Sequence, residues 1–326
     1  MLYSASLLDE PENAVISSID KLCERLEQAE KGARSWSGIL SRQVFSRRNG
    51  PLAKAHVANP EPADPNGDDW RALEGYRRAL KHASQRFVDP SFSYSTELIL
   101  ALHFMTTEHN PTTRSGTWRS DRVSVHDVDG EMVYEPPAPD QVPALMDELV
   151  ESLNRSNDEP PLIRAAIAHL NMVRIHPFHD GKGRMGRCLQ TLVLMHEHDV
   201  PPEIASLEEY IGQHTRGYNE ALLSTARCWE PRRDTKPWIN FCLTAHYEQA
   251  IALVTKITEL ELLHDELCAH TTNRGALPDG TLQRLSKIFG ARPAVINRWW
   301  RMRPDRVIGK LIGEANGYRL RCLPVE

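Results

Sequence analysis

From residue 141 onward, the apolar residues of this chain recur at helical spacing almost without interruption. The stretches 141–155, 160–175 and 183–198 each carry apolar residues three or four positions apart, which is the pattern of an amphipathic helix. The same pattern predicts further helices at 9–33, 69–86, 95–107, 206–227 and 236–269. Because alternating hydrophobicity is rare, a large sheet is excluded and the predicted fold class is all-α.

One segment breaks the helical pattern. Residues 118–135 hold two short extended runs, with Asp129-Gly130 between them. Asp-Gly between such runs is a strong signal for a hairpin turn, and Pro136-Pro137 ends the second strand because proline cannot donate to a ladder. Four prolines at 51–68 predict a long loop instead of an element. The sequence therefore predicts a helical core with one short β-hairpin.

The length of 326 residues predicts two or three domains. We place an N-terminal helical region with a proline-rich loop at 1–88, a core at 89–250, and a connecting helix with a small domain at 251–326. No apolar run approaches the ~18 residues that a membrane-spanning helix needs, so no membrane partner is expected. Six cysteines lie far apart without a CxxC pair, which favours a cytoplasmic location.

The small C-terminal domain is basic. Residues 271–326 hold 11 Lys or Arg against 4 Asp or Glu, although the whole chain has a net charge of -5. A helical pattern, a break at Gly290–Pro293, a second helical pattern and a turn signal at Asn316-Gly317 predict a winged-helix-like order. DNA is one partner that this charge fits, and a domain that only positions target proteins is the alternative.

The densest chemical signal is His176-Pro-Phe-His-Asp180-Gly-Lys-Gly-Arg184-Met-Gly-Arg187, between two helical stretches. Glycines let backbone N–H groups approach a ligand, and the start of a helix is an anion site. The three cations of this stretch can bind phosphate oxygens. Asp180 can bind Mg²⁺, and His176 has the pKa range of a general base. The pattern indicates a nucleotide or phosphate site.

Two other interpretations of this stretch were weighed. It is not a Walker A loop, because the required glycine five positions before Gly181 is His176 and no Ser or Thr follows Lys182. A metal phosphohydrolase would use histidines and Asp180 as ligands. Its candidate histidines are His169, His179, His196 and His198. That hypothesis leaves the glycines and arginines of the stretch unexplained.

The stretch resembles the signature of the Fic (filamentation induced by cAMP) family, His-Pro-Phe-x-Asp/Glu-Gly-Asn-Gly-Arg-x-x-Arg. It departs from that signature at Lys182, where the family usually has Asn. The flanks are similar as well, because SGTWR at 115–119 resembles a family segment that precedes a flap hairpin. The stretch EEYIGQHTRGYNEAL at 208–222 resembles a helix that closes over the nucleotide.

The resemblance implies a helical core with a β-hairpin flap and transfer of AMP from ATP to a protein hydroxyl, with self-modification included. It assigns His176 as the base and Asp180 as the Mg²⁺ ligand. The residues it assigns to nucleotide binding are Gly181, Lys182, Gly183, Arg184, Gly186, Arg187, His214 and Tyr218. A target protein would dock on the hairpin at 122–135. Two further hypotheses stay open. The chain could form a homodimer, or it could be a DNA-binding regulator with a degenerate core.

Many proteins of this family carry an inhibitory helix whose Glu pairs with the second motif arginine. An N-terminal copy would fall at 32–43, where Leu40 occupies the position of that Glu. We therefore expect Arg187 to be free to hold the γ-phosphate of ATP.

Overall fold

A computed structural model describes residues 1–31, 68–87, 89–127, 129–156, 158–197, 205–271 and 276–315. The predicted loop at 51–68 lies outside the described residues except for its last position, and the segment at 32–43 lies entirely outside them.

The predicted helices are present in the described part of the chain. They are α1 (Glu10–Lys31), α2 (Asp68–Arg86), α3 (Thr96–Thr107), α4 (Val142–Asn154), α5 (Pro161–Ile175), α6 (Lys182–Glu197), α7 (Glu208–Gln213), α8 (Thr215–Thr225) and α9 (Lys236–Thr271). The single helix expected at 206–227 is instead two helices, because the backbone leaves helical geometry at His214. Among the described helices, none is both long and apolar enough to cross a bilayer.

The predicted hairpin is confirmed. Strands β1 (Val125–His126) and β2 (Met132–Tyr134) pair antiparallel. Gly130 takes a φ of 85° in the turn, a conformation that glycine adopts without steric cost. The Tyr134 hydroxyl donates to the carbonyl of Arg174 at 2.7 Å, which fastens the hairpin to α5.

The chain divides into two compact units, one of residues 1–19 and 46–249 and the other of residues 20–45 and 250–326. In the first unit α5 lies at the centre, and most of its residues are buried on all sides. A helix that is apolar all round is a core helix, which is what PLIRAAIAHLNMVRI specifies. Trp238 is fully buried and donates from its indole N–H to the carbonyl of Ala166 in α5.

The second unit ends in three short helices, α10 (Asp279–Phe289), α11 (Pro293–Met302) and α12 (Pro304–Ala315). Gly290 ends α10 with a φ of 62°, and Pro293 begins α11, as the sequence predicts for a tight break. The short apolar stretches of VIGKLIG, which precede the predicted turn of the winged-helix-like order, are helical in α12, so that order is not confirmed in the described residues. The Asn316-Gly317 turn lies outside the described residues.

Candidate active site

The motif occupies the loop between α5 and α6. His176 caps α5 with φ 56° and ψ 53°, and among the described residues no other non-glycine residue has a positive φ. Gly181, with a φ of 75°, precedes the first residue of α6. A Cβ at Gly181 would lie 2.8 Å from the Thr107 methyl group, so glycine is required both for the turn and for the close approach to α3.

The imidazole of His176 is in a form that can accept a proton. Its Nδ1–H donates to the carbonyl of Val173 at 3.3 Å, which leaves Nε2 as the unprotonated nitrogen. Nε2 is buried and makes no hydrogen bond within the described part of the chain. Burial, together with the positive charge of Lys182, lowers the pKa of His176 to about 3, so the ring is neutral at pH 7.

The N-terminus of α6 faces the same loop. Met185 N–H donates to the carbonyl of Gly181 at 2.8 Å, so the N–H groups of residues 182–184 precede the first helical bond. Such groups and the helix dipole favour an anion. Lys182 is the first residue of the helix, and its partial burial lowers the pKa of its ammonium, while nearby Asp180 opposes that shift.

Asp180 carries a half-exposed carboxylate at the open side of the loop. Its Oδ1 accepts from Gly181 N–H at 2.6 Å, and its Oδ2 lies 3.3 Å from Nη2 of Arg184. Arg184 also donates to the carbonyl of Thr106 at 3.0 Å. The described residues contain no group of three His, Cys, Asp or Glu side chains able to enclose a metal. One accessible carboxylate still fits Mg²⁺, which is commonly bound through one or two carboxylates plus substrate phosphates and water.

Arg187 differs from the sequence-based expectation. It was expected to be free, but its Nε lies 2.6 Å from Oε2 of Glu208 in α7. Both side chains are buried, and neither of these two atoms makes a well-directed hydrogen bond, so the contact is an ion pair. Burial by itself would lower the pKa of Arg187, but Glu208 together with nearby Tyr218 and Tyr76 raises it. The cation predicted to hold the γ-phosphate is therefore already neutralised within the chain.

Two further predicted nucleotide ligands make packing contacts within the core. A Cβ at Gly186 would lie 2.5 Å from Cδ2 of His169, so this glycine allows α5 and α6 to pack closely. Tyr218 is buried, and its hydroxyl lies 3.2 Å from Nε2 of His169. His214 is exposed and stacks on Tyr210 with a ring separation of 4.0 Å. Nucleotide binding by Gly183, Gly186, His214 and Tyr218 stays a prediction.

The loop is supported from α3 by a histidine that the sequence did not single out. The ring of His103 stacks on Phe178 at 3.6 Å, and Phe178 is fully buried, as expected for a core anchor. Gly116 N–H donates to Nδ1 of His103, so Nε2–H donates to the carbonyl of Asp180 at 3.0 Å. Burial lowers the pKa of His103 to about 4. Helical spacing alone carries no signal for such a role.

The histidines of the phosphohydrolase hypothesis lie in separate environments. His169 contacts Gln190 and Tyr218 inside the core. His196 packs among aromatic rings at the end of α6, including Phe92. His179 lies 3.6 Å from Asp121. The described residues thus give these histidines different partners rather than one shared centre; His198 lies outside them.

Comparison with known proteins agrees with this geometry. Residues 93–194 match the model of the Fic/DOC family, a range that begins before α3 and ends within α6. This part of the chain is therefore similar to a Fic/DOC domain. The protein adenylyltransferase Fic of Nematostella vectensis is 30% identical over 165 residues, which are 48% of this chain and 37% of that protein. The protein of the same name from Drosophila mojavensis is 32% identical over 176 residues, 53% of this chain and 32% of that protein. The chain thus spans about a third of the length of these curated relatives.

Solved structures share the fold. A Fic domain containing signaling protein from Bacteroides thetaiotaomicron superposes with a TM-score of 0.61 at 18% identity, covering 74% of this chain and 97% of that one. A Fic family protein from Desulfovibrio desulfuricans superposes with a TM-score of 0.62 at 19% identity, covering 90% of this chain and 89% of that one. At such identities the likeness concerns the fold, which is mostly helical with one two-stranded sheet.

Proposed function

We propose that this chain is a Fic-type protein adenylyltransferase that transfers AMP from ATP to a hydroxyl side chain of a protein, itself included. The observation that carries the proposal is the neutral His176 imidazole, whose free Nε2 lies in a loop that leads directly into a helix N-terminus. The adenylyltransferase names of the curated relatives support the same activity.

The chemistry proposed for this loop is direct substitution at the α-phosphate. Nε2 of His176 takes the proton of the target hydroxyl, the hydroxyl oxygen bonds to the α-phosphorus, and pyrophosphate leaves. The N–H groups at the start of α6, with Lys182 and Arg184, bind phosphate oxygens and stabilise the charge that develops on them. Asp180 would hold Mg²⁺, which when bound neutralises phosphate charge.

Labelled ATP with Mg²⁺ tests the proposal. Wild-type protein should transfer label to protein, and His176→Ala should bind ATP normally while transfer falls by ~10²–10⁴-fold. His179→Ala is the matched control, because this neighbouring loop histidine contacts Asp121 and should keep transfer. Release of inorganic phosphate without protein labelling would favour the phosphohydrolase. Unchanged labelling by His176→Ala would contradict the role of the base.

The hairpin of β1 and β2 is the proposed docking element for the target protein. On the β2 side the backbone directly after the strand is already engaged, because Glu135 N–H donates to the carbonyl of Arg227 at 2.9 Å. An extended target segment would therefore add to the β1 edge, by main-chain hydrogen bonds.

We also propose a cytoplasmic location, which the free state of the described cysteines supports.

A DNA partner for the C-terminal helices is a second, separate proposal. Residues 280–304 contain six Lys or Arg and no Asp or Glu, and all six cations are exposed. They lie on a helix–turn–helix formed by α10 and α11. Duplex DNA should bind with an affinity that falls steeply with salt, and the double variant Arg298→Glu with Arg301→Glu should abolish it. Arg216→Glu, an equally exposed arginine on α8, is the control. If duplex DNA does not bind even at low salt, the DNA proposal is wrong. The alternative, a domain that only positions target proteins, is then favoured.

A further inference from the structure

Arg119 is a buried cation whose side chain, among the described residues, bonds only to backbone carbonyl groups. Nε donates to His176 at 2.7 Å, Nη1 to Asp121 at 3.0 Å, and Nη2 to Pro137 at 2.5 Å. Its own backbone N–H donates to the carbonyl of Pro177 at 2.9 Å. One residue therefore makes four hydrogen bonds to four different carbonyl groups, and 2% of its surface is exposed.

These carbonyl groups belong to three separate segments. Asp121 precedes β1, Pro137 follows β2, and His176 begins the motif loop. Burial lowers the pKa of Arg119, and the carbonyl dipoles are what stabilise its charge. A guanidinium presents donors in a rigid plane, so its three nitrogens fix the relative positions of the carbonyl groups that they bind. Through these hydrogen bonds Arg119 connects both ends of the hairpin to the backbone of His176, the proposed base.

The backbone conformation of His176 must be held by contacts with its surroundings. A non-glycine residue in the left-handed region is held there only when its surroundings over-determine the conformation. His176 N–H makes a long bond of 3.3 Å to Met172, whereas its carbonyl bond to Arg119 is short. Arg119 thus holds the peptide after His176 by a short hydrogen bond to the His176 carbonyl.

We propose that Arg119 is a positioning residue that sets the distance between the base His176 and the hairpin on which the target docks. This inference rests on the proposed adenylyl transfer, because a general base must lie within hydrogen-bond reach of the hydroxyl it deprotonates. Arg119 does not touch the nucleotide in this scheme. Its loss should therefore affect the transfer step and leave ATP binding intact.

The test is Arg119→Lys, which keeps the charge but cannot reach three carbonyl groups at once. We expect kcat for protein labelling to fall by ~10²-fold, the loss that a displacement of about 1 Å can cause, with the KM for ATP unchanged. Arg164→Lys is the matched control. Arg164 is also largely buried and donates to a backbone carbonyl, that of Leu153, but it lies at the other end of α5.

A second readout does not depend on activity. Hydrogen exchange of the His176 amide should become faster in Arg119→Lys, while amides in the middle of α5 keep their wild-type rates. If kcat and ATP affinity fall together, or if both variants behave alike, Arg119 is merely structural and the proposal is wrong. A wild-type protein that transfers no AMP would overturn the proposed function, and the exchange rate of His176 would then decide the role of Arg119 by itself.

Discussion

Arg187 and Glu208 form a buried ion pair in which each charge depends on the other for its stability. Burying an ionised side chain is costly, and the 2.6 Å contact between them offsets that cost. The pair also affects ligand binding, because a polyphosphate that approaches Arg187 meets the negative charge of Glu208. We therefore expect this carboxylate to weaken the binding of ATP.

Replacing Glu208 by Gln should tighten ATP binding and destabilise the protein. Removal of the like charge should raise ATP affinity by about tenfold, equivalent to ~1.4 kcal/mol. Loss of one partner of a buried pair typically costs ~3–5 kcal/mol, so the free energy of unfolding should fall. Calorimetric titration and urea denaturation measure the two effects. Adenosine is the control ligand, since it carries no phosphate; an equal gain for adenosine would show that Glu208 does not act on the phosphates.

Sequence could not have predicted this pair. Arg187 and Glu208 lie in different helices, and nothing in the spacing of EEYIG indicates that its first glutamate is buried. The roles of His103 and Arg119 are hidden for the same reason, because both depend on contacts with backbone carbonyl groups of a distant loop. The motif itself could be found, since its glycines, cations and histidine are consecutive.

At the scale of elements, helices were predictable wherever their apolar residues keep a regular spacing. The bounds of α4, α5 and α6 lie within one residue of the predicted stretches. Failures occur where the local signal is ambiguous. The apolar pairs of VIGKLIG fit a strand or a helix equally, and packing selects the helix α12. The helix break at His214 was not indicated by the sequence, because neither proline nor glycine occupies that position.

The close contact between α5 and α6 depends on Gly186. Its replacement by Ala places a Cβ 2.5 Å from Cδ2 of His169 and 2.7 Å from Cγ2 of Val173, so buried atoms must move. Overpacking of this kind should lower the free energy of unfolding by ~1–3 kcal/mol, measured by urea denaturation.

Gly183→Ala is the matched control for that prediction. A Cβ at Gly183 would meet a single described atom within 4 Å, Nη1 of Arg187 at 3.3 Å, so the change should leave stability within about 1 kcal/mol of wild type. Equal stability of the two alanine variants would mean that the helices can separate without cost.

At the scale of the whole molecule, three of the buried imidazoles in the described residues make the fold sensitive to acid. Burial lowers the pKa of His103 to about 4 and the pKa values of His169 and His176 to about 3. In the unfolded chain these side chains titrate near the ordinary histidine pKa of about 6.5. Between these values the unfolded state binds more protons than the folded state, so the free energy of unfolding decreases as the pH falls below about 6.5.

Each of these histidines should contribute a slope of up to ~1.4 kcal/mol per pH unit between pH 6 and pH 5, where most carboxylates are still ionised. Urea denaturation at several pH values measures that slope. His169→Gln should reduce it by up to ~1.4 kcal/mol per pH unit, because its buried side chain then no longer titrates on unfolding, and His126→Gln, at an exposed position, is the control. A free energy of unfolding that stays constant from pH 6.5 to pH 5 would mean that the buried rings accept protons within the folded state. His176 would still be mostly neutral at pH 7, so its role as a base would then depend on the ordinary histidine pKa and not on burial.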